Sequence, residues 1–163
     1  MKRLILMRHA KSRREAPDGH DHGRGLSDRG RAAARLVGDW LRRQGHVPDQ
    51  ALVSDATRAR ETFKRLELPC AAAFLPTLYL AEAEAMLPVL RQASGACVLM
   101  IGHNPGIGEL ARQLLAAPPP HPRFRDYPTG ATLVAAFDIA AWRMLDAGTG
   151  RVVDFITPRD LGG

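Results

Sequence analysis

Residues Leu4-Ile5-Leu6-Met7-Arg8-His9-Ala10-Lys11-Ser12, "LILMRHAKS", decide how this chain is read. Four consecutive apolar residues suit a strand covered on both faces, as in a parallel sheet, and the run stops on an arginine and a histidine side by side. Two further runs have the same character, Ala51–Val53 and Cys97–Ile101. Each is also followed at once by polar residues, Ser54-Asp55 in one case and Gly102-His103-Asn104-Pro105 in the other. In an open α/β sheet, ligands bind beyond the carboxyl ends of the strands, so these three strand ends are where a site is expected.

Helical patterns fill the intervals. Ser27 offers an N-cap with Asp28 in the first turn, Ala33, Leu36, Val37, Trp40 and Leu41 recur at helical spacing, and Gly45 supplies the stop. A second helix is expected after Ser54, running to about Leu66 and carrying Arg58 about one turn in. A third is expected around Met86–Ala93, with Pro88 near its first turn. A fourth is expected to begin at Pro105 and to turn Ile107, Leu110, Ala111, Leu114 and Leu115 inward. Ala117–Pro122, "APPPHP", reads as a loop because so many prolines suit neither helix nor central strand. Ala131–Phe137 and Val152–Ile156 read as two later strands, their direction left open. The alternation predicts a three-layer α/β/α sandwich with a mostly parallel central sheet, and a single domain over residues 1–163.

Composition narrows the classes. With 45% hydrophobic and 25% charged residues, the chain has the profile of an ordinary globular protein with a core. Met1-Lys2-Arg3 before Leu4–Met7 imitates a signal peptide, but four apolar residues are too few for an h-region and Arg8 ends them. No run approaches a membrane span, so no membrane partner and a cytoplasmic location are expected. The formal charge of +6 favours anions in general. Lysines and arginines are dispersed and aromatics few, which gives no stacking platform or recognition helix, and nucleic acid is not expected as a partner. Cys70 and Cys97 lie in no disulfide or metal-ligand pattern, and Cys97 reads as a buried thiol. "PDGHDHG" collects Asp18, His20, Asp21 and His22, but at no zinc spacing, and reads as a solvated loop near the pocket mouth.

The three strand ends deliver Arg8, Arg58, His9 and His103 to one rim. Arginine presents a fork of donors matched to phosphate oxygens. A neutral histidine can attack phosphorus, and neighbouring guanidinium groups both disfavour its protonation and stabilise a transferring phosphoryl group. With that charge supplied by the side chains, neither metal nor cofactor is called for. Ser12 and Asn104 are further candidates to bind phosphate, and the amides opening the helix at Pro105 are candidate donors as well. Lys11, Arg13 and Arg14 either steer anions or form a solvated face.

"LMRHAKS", "LVSDATRARET" and "IGHNP" resemble the histidine phosphatase superfamily, and the short length with "TPRDL" near the end resembles its SixA-like, phosphohistidine phosphatase branch. The resemblance implies His9 as nucleophile, Arg8 and Arg58 as phosphate ligands and His103 as a partner that binds the phosphoryl group. It also implies a metal-independent phosphatase acting on a phosphorylated substrate, with phosphohistidine on a protein first and a small phosphate ester second; the basic charge by itself leaves a non-enzymatic phosphate-binding module as the last alternative. The family more often has Gly where this chain has Ala10. Many members place a glutamate after the third strand as general acid; here "LYLAEAEAML" offers Glu82 and Glu84, which read equally as exposed carboxylates near a helix start. Without an effective acid, a P–N substrate is favoured over a P–O one, because imidazole can leave neutral.

Overall fold

The computed structural model describes residues Met1–Gly163. Six strands, β1 (Lys2–Arg8), β2 (Gln50–Ser54), β3 (Ala72–Leu75), β4 (Cys97–Gly102), β5 (Thr132–Phe137) and β6 (Arg151–Ile156), form one sheet in the order β3-β2-β4-β1-β5-β6. The first four are parallel, while β5 runs antiparallel to β1 and β6 antiparallel to β5. The helices are α1 (Asp28–Arg43), α2 (Thr57–Leu66), α3 (Ala83–Arg91) and α4 (Gly106–Leu114).

The unbroken apolar runs have a direct cause. Along β1, Leu4 and Leu6 point into a core with Met86 and Leu90 of α3 and Ile107 and Leu110 of α4. Ile5 and Met7 point the other way, to Val37, Trp40 and Leu41 of α1 and Leu66 of α2. Alternate side chains of a strand face opposite sides, so a strand between two helical layers must be apolar throughout. All four side chains have no exposure.

Helix α1 matches its sequence signals. The Ser27 hydroxyl accepts the Gly30 N–H, and Gly45 lies at φ 73° just beyond the cap. Its buried face is centred on Ala34, Val37, Gly38 and Leu41, with Ala33 and Leu36 only at the margin. The centre is shifted toward small residues because α1 crosses α2 closely: a Cβ on Gly38 would lie 2.3 Å from the Leu66 carbonyl oxygen.

Four expectations are corrected. Helix α2 begins at Thr57, so Arg58 is its second residue and does not lie a full turn inside. The chain first turns through Asp55 and Ala56, a turn held by the Ser54 hydroxyl, which accepts the Ala56 N–H at 3.3 Å, and by the Asp55 carbonyl, which accepts the Arg60 Nε–H at 2.8 Å. Helix α3 begins at Ala83, so Pro88 lies inside it rather than in the first turn. The burial of Ala83, Met86 and Leu90 on one face fixes that start, and the bond Pro88 cannot give would go to the carbonyl of Glu84, an exposed residue of the helix. Pro105, after a cis peptide bond, is the N-cap of α4, which begins one residue later at Gly106. Cys97 is half-buried rather than buried, at the start of β4. Strand β3, four residues on the sheet edge, carries too little apolar alternation to be marked from sequence.

Candidate active site

The parallel pairing of β1 with β4 sets Arg8 against Gly102, which puts His9 and His103 next to each other beyond the sheet. Their ring centroids are 5.0 Å apart. Arg58 reaches the same rim from the start of α2. A cavity of about 360 Å³ is lined by Arg8, His9, Lys11, Ser12, Arg14, Arg24, Arg58, Leu80, His103, Asn104 and Thr129. No carboxylate lines it.

His9 is only 6% exposed, and its Nδ1 lies 2.7 Å from the Ala10 carbonyl oxygen. A carbonyl only accepts, so Nδ1 carries the proton and Nε2 keeps its lone pair. Burial pushes the His9 pKa down to about 3, with the charges of His103, Arg58 and Arg8 acting in the same direction. The ring is therefore neutral at physiological pH. Ala10 is fully buried and its N–H donates to Thr62 Oγ1 at 3.0 Å, while Thr62 donates in turn to the Arg58 carbonyl at 2.7 Å. This chain of bonds ties the segment after His9 to the helix that holds Arg58.

His103 is 1% exposed and its pKa is lowered to about 4, chiefly by burial and then by Arg58. Its Nε2 is 2.8 Å from Ser54 Oγ, and its Nδ1 is buried without a protein partner. Arg8 Nε and Arg58 Nε are likewise buried and unpartnered. Buried polar nitrogens are costly to leave unsatisfied, and three of them belong to residues around one cavity.

Arg58 is held by the loop that sequence reading treated as solvated. Its Nη1 donates to the Asp21 carbonyl at 2.9 Å and its Nη2 to Asp21 Oδ2 at 3.0 Å. The Tyr79 hydroxyl donates to the same carboxylate oxygen, and Arg24 Nε donates to Oδ1 at 2.9 Å. The Tyr79 hydroxyl, then Arg58 and Arg24, hold the Asp21 carboxyl well below the usual carboxylate range. Asp21 is thus the anionic hub of two arginines. His22 pairs with Asp55 at 2.9 Å, and His20 is exposed. Nowhere do three His, Cys, Asp or Glu side chains gather as a metal-ligand set.

The remaining candidates fare differently. Ser12 Oγ accepts from Arg24 Nη1 at 2.9 Å, which leaves its own proton free. Asn104 lines the cavity, but its amide is engaged: Nδ2 donates to the Asp126 and Tyr127 carbonyls, both at 3.0 Å, and Oδ1 accepts the Gly108 N–H. The Ile107 N–H bonds the His103 carbonyl, so these two opening amides of α4 do not face the cavity. Glu82 and Glu84 are exposed and line no part of it. Glu61 is a tie, accepting the Leu26 N–H at 2.8 Å. Arg24 and Thr129 are lining residues that sequence reading missed. The only signal for Arg24 is its place just before the Ser27 cap, in a loop without periodicity.

The profile of the histidine phosphatase superfamily (branch 1) matches residues 4–84. Phosphohistidine phosphatase SixA of Escherichia coli is 32% identical over 119 residues, 68% of this chain and 73% of that protein. A solved structure from Nakamurella multipartitia, described as a candidate phosphohistidine phosphatase SixA, superposes with a TM-score of 0.84 at 26% identity, covering 96% of each chain. A structure of the protein histidine phosphatase SixA complexed with tungstate gives a TM-score of 0.78 at 26% identity, covering 98% of this chain and 99% of that one. No helix here is long and apolar enough to cross a membrane.

Proposed function

The chain belongs to the histidine phosphatase superfamily, in its SixA-like branch, and is a phosphatase; from that premise we propose that it acts as one domain over residues 1–163 on phosphohistidine carried by a protein. One observation carries this reading: a neutral imidazole and a ring of cationic side chains share a cavity that no carboxylate lines. In the proposed reaction His9 Nε2 attacks phosphorus, and the bond to the leaving imidazole breaks. Arg8, Arg58 and Arg24 stabilise the equatorial oxygens. Ser54 is fully buried and its Oγ meets only the Ala56 N–H, which it accepts, and His103 Nε2, so Nε2 is the one acceptor for its hydroxyl proton. The neutral His103 ring then carries its proton on Nδ1 and donates it to a phosphoryl oxygen. Water attacks the phosphoryl group on His9 in the second step and releases orthophosphate, with Ser12 contributing a hydroxyl donor.

An oxygen ester needs a proton on its leaving oxygen, and general acid catalysis typically contributes roughly 10²–10⁴-fold. A phosphoimidazole protonated on its other nitrogen leaves as neutral imidazole and escapes that requirement. We therefore expect kcat/KM to rise from alkyl phosphate to aryl phosphate to phosphohistidine peptide. Glu82→Gln and Glu84→Gln should change phosphohistidine hydrolysis less than about twofold. Efficient turnover of an alkyl phosphate that collapses in either variant would identify that glutamate as a general acid and make a small-molecule phosphomonoesterase the better reading.

Cationic side chains supply the charge a metal would otherwise supply. EDTA should leave aryl phosphate hydrolysis unchanged, and vanadate or tungstate should inhibit competitively. Activity lost in chelator and restored by zinc would overturn the metal-independent mechanism.

A further inference from the structure

Beside the phosphoryl pocket lies a second cavity, of about 340 Å³, that shares Lys11 and Thr129 with it. Its walls carry Lys11 from the segment after β1, Arg29 from the first turn of α1, Arg123 from the loop before β5 and Arg159 from the turn after β6. No aspartate, glutamate or aromatic ring lines it. Arg123 is paired with Asp126 at 2.9 Å, whereas Lys11, Arg29 and Arg159 enter no ion pair.

Fixed backbone brings these charges together. A Cβ on Gly30 would lie 1.9 Å from the Lys11 carbonyl oxygen, so the start of α1 presses directly on the Lys11 segment. The turn bearing Arg159, within "TPRDL", is locked by a reciprocal cap in which Asp160 Oδ2 accepts the Thr157 N–H at 2.8 Å. Cations gathered around one cleft repel one another, and a bound anion relieves that cost.

We propose that this cleft is a second anion subsite, which takes acidic side chains flanking the phosphohistidine of a substrate protein. The inference rests on the protein-phosphohistidine reading above and adds how such a substrate is chosen. The cavity has room for about ten waters, more than a single carboxylate or phosphate fills. Its cations come from four separate segments and do not form one fork, which fits several dispersed carboxylates. Without an aromatic ring there is no platform for a nucleobase.

The test compares phosphohistidine peptides of equal length with glutamate or glutamine flanks, on the parent and on the Arg29→Gln/Arg159→Gln double variant. Both replaced residues are exposed and outside the phosphoryl pocket. The parent should favour the glutamate peptide by about tenfold in kcat/KM at low salt, and the preference should fade as salt rises. The double variant should lose the preference while para-nitrophenyl phosphate hydrolysis changes less than about twofold. Equal turnover of both peptides by the parent, or a preference that survives in the double variant, would overturn the subsite. If neither peptide is hydrolysed although the aryl phosphate is, the substrate reading fails and binding decides the cleft. Labelled hexaglutamate, titrated into vanadate-saturated protein, should bind the double variant at least about fivefold more weakly than the parent. Equal binding, or oligothymidylate bound by the parent as tightly as hexaglutamate, would overturn the assignment to acidic protein segments.

Discussion

His9→Ala is expected to reduce turnover to background while the protein stays folded. The imidazole lies just past the end of β1 and outside both apolar clusters, and its one protein hydrogen bond, Nδ1 to the Ala10 carbonyl, is worth only about 1 kcal/mol net. Its Nε2 is the unprotonated nitrogen in the cavity, so its removal eliminates the nucleophile that would carry the phosphoryl group. The measurement is kcat/KM on an aryl phosphate, with thermal unfolding as the control for folding. Activity within a few-fold of the parent would exclude His9 as the nucleophile. In the parent, an acid-labile phosphoryl group on His9 should be trapped by rapid quenching and located by mass spectrometry.

The pH profile tests the same assignment. A depressed pKa leaves the ring neutral above that value and protonated, hence inactive, below it. With His9 at about 3 and His103 at about 4, neither titrates between pH 5 and 8. After correction for the second ionisation of the substrate phosphate, near pH 6, kcat/KM should be flat over that window and fall only below about pH 4. An acid limb centred near 6.5, the value of an exposed imidazole, would contradict the burial that keeps His9 neutral.

Arg58→Ala is expected to lower kcat/KM by roughly 10²–10³-fold, the usual loss when one preorganised donor to a developing charge is removed. Arg58 is 2% exposed and holds the Asp21 loop through two hydrogen bonds, so the variant should also melt earlier. Arg58→Lys separates the two effects. It restores a positive charge without the planar fork, and kcat/KM should remain at least about tenfold below the parent. Unchanged kinetics in either variant would put Arg58 outside the reaction.

The sequence alone determined much of this arrangement. Apolar runs such as Leu4–Met7 and Cys97–Ile101 demanded a sheet covered on both faces, because alternate side chains must then both be buried. The residues just past those runs had to gather at one edge, because parallel strands end on the same side. Arg8, His9, Arg58 and His103 were legible for that reason. Periodicity was silent about loops and edges, which left β3, the early start of α3 and the role of Arg24 unread. Asp21 shows the limit most clearly: its neighbours in the chain suggested a solvated loop, yet its carboxylate meets Arg58 and Tyr79, which are 37 and 58 positions away. Only the tertiary structure decided that contact, and only it could show that His9 and His103 are buried deeply enough to stay neutral. A side chain's pKa depends on the water and charge around it, and those are set by distant segments packing together, not by the local order of residues.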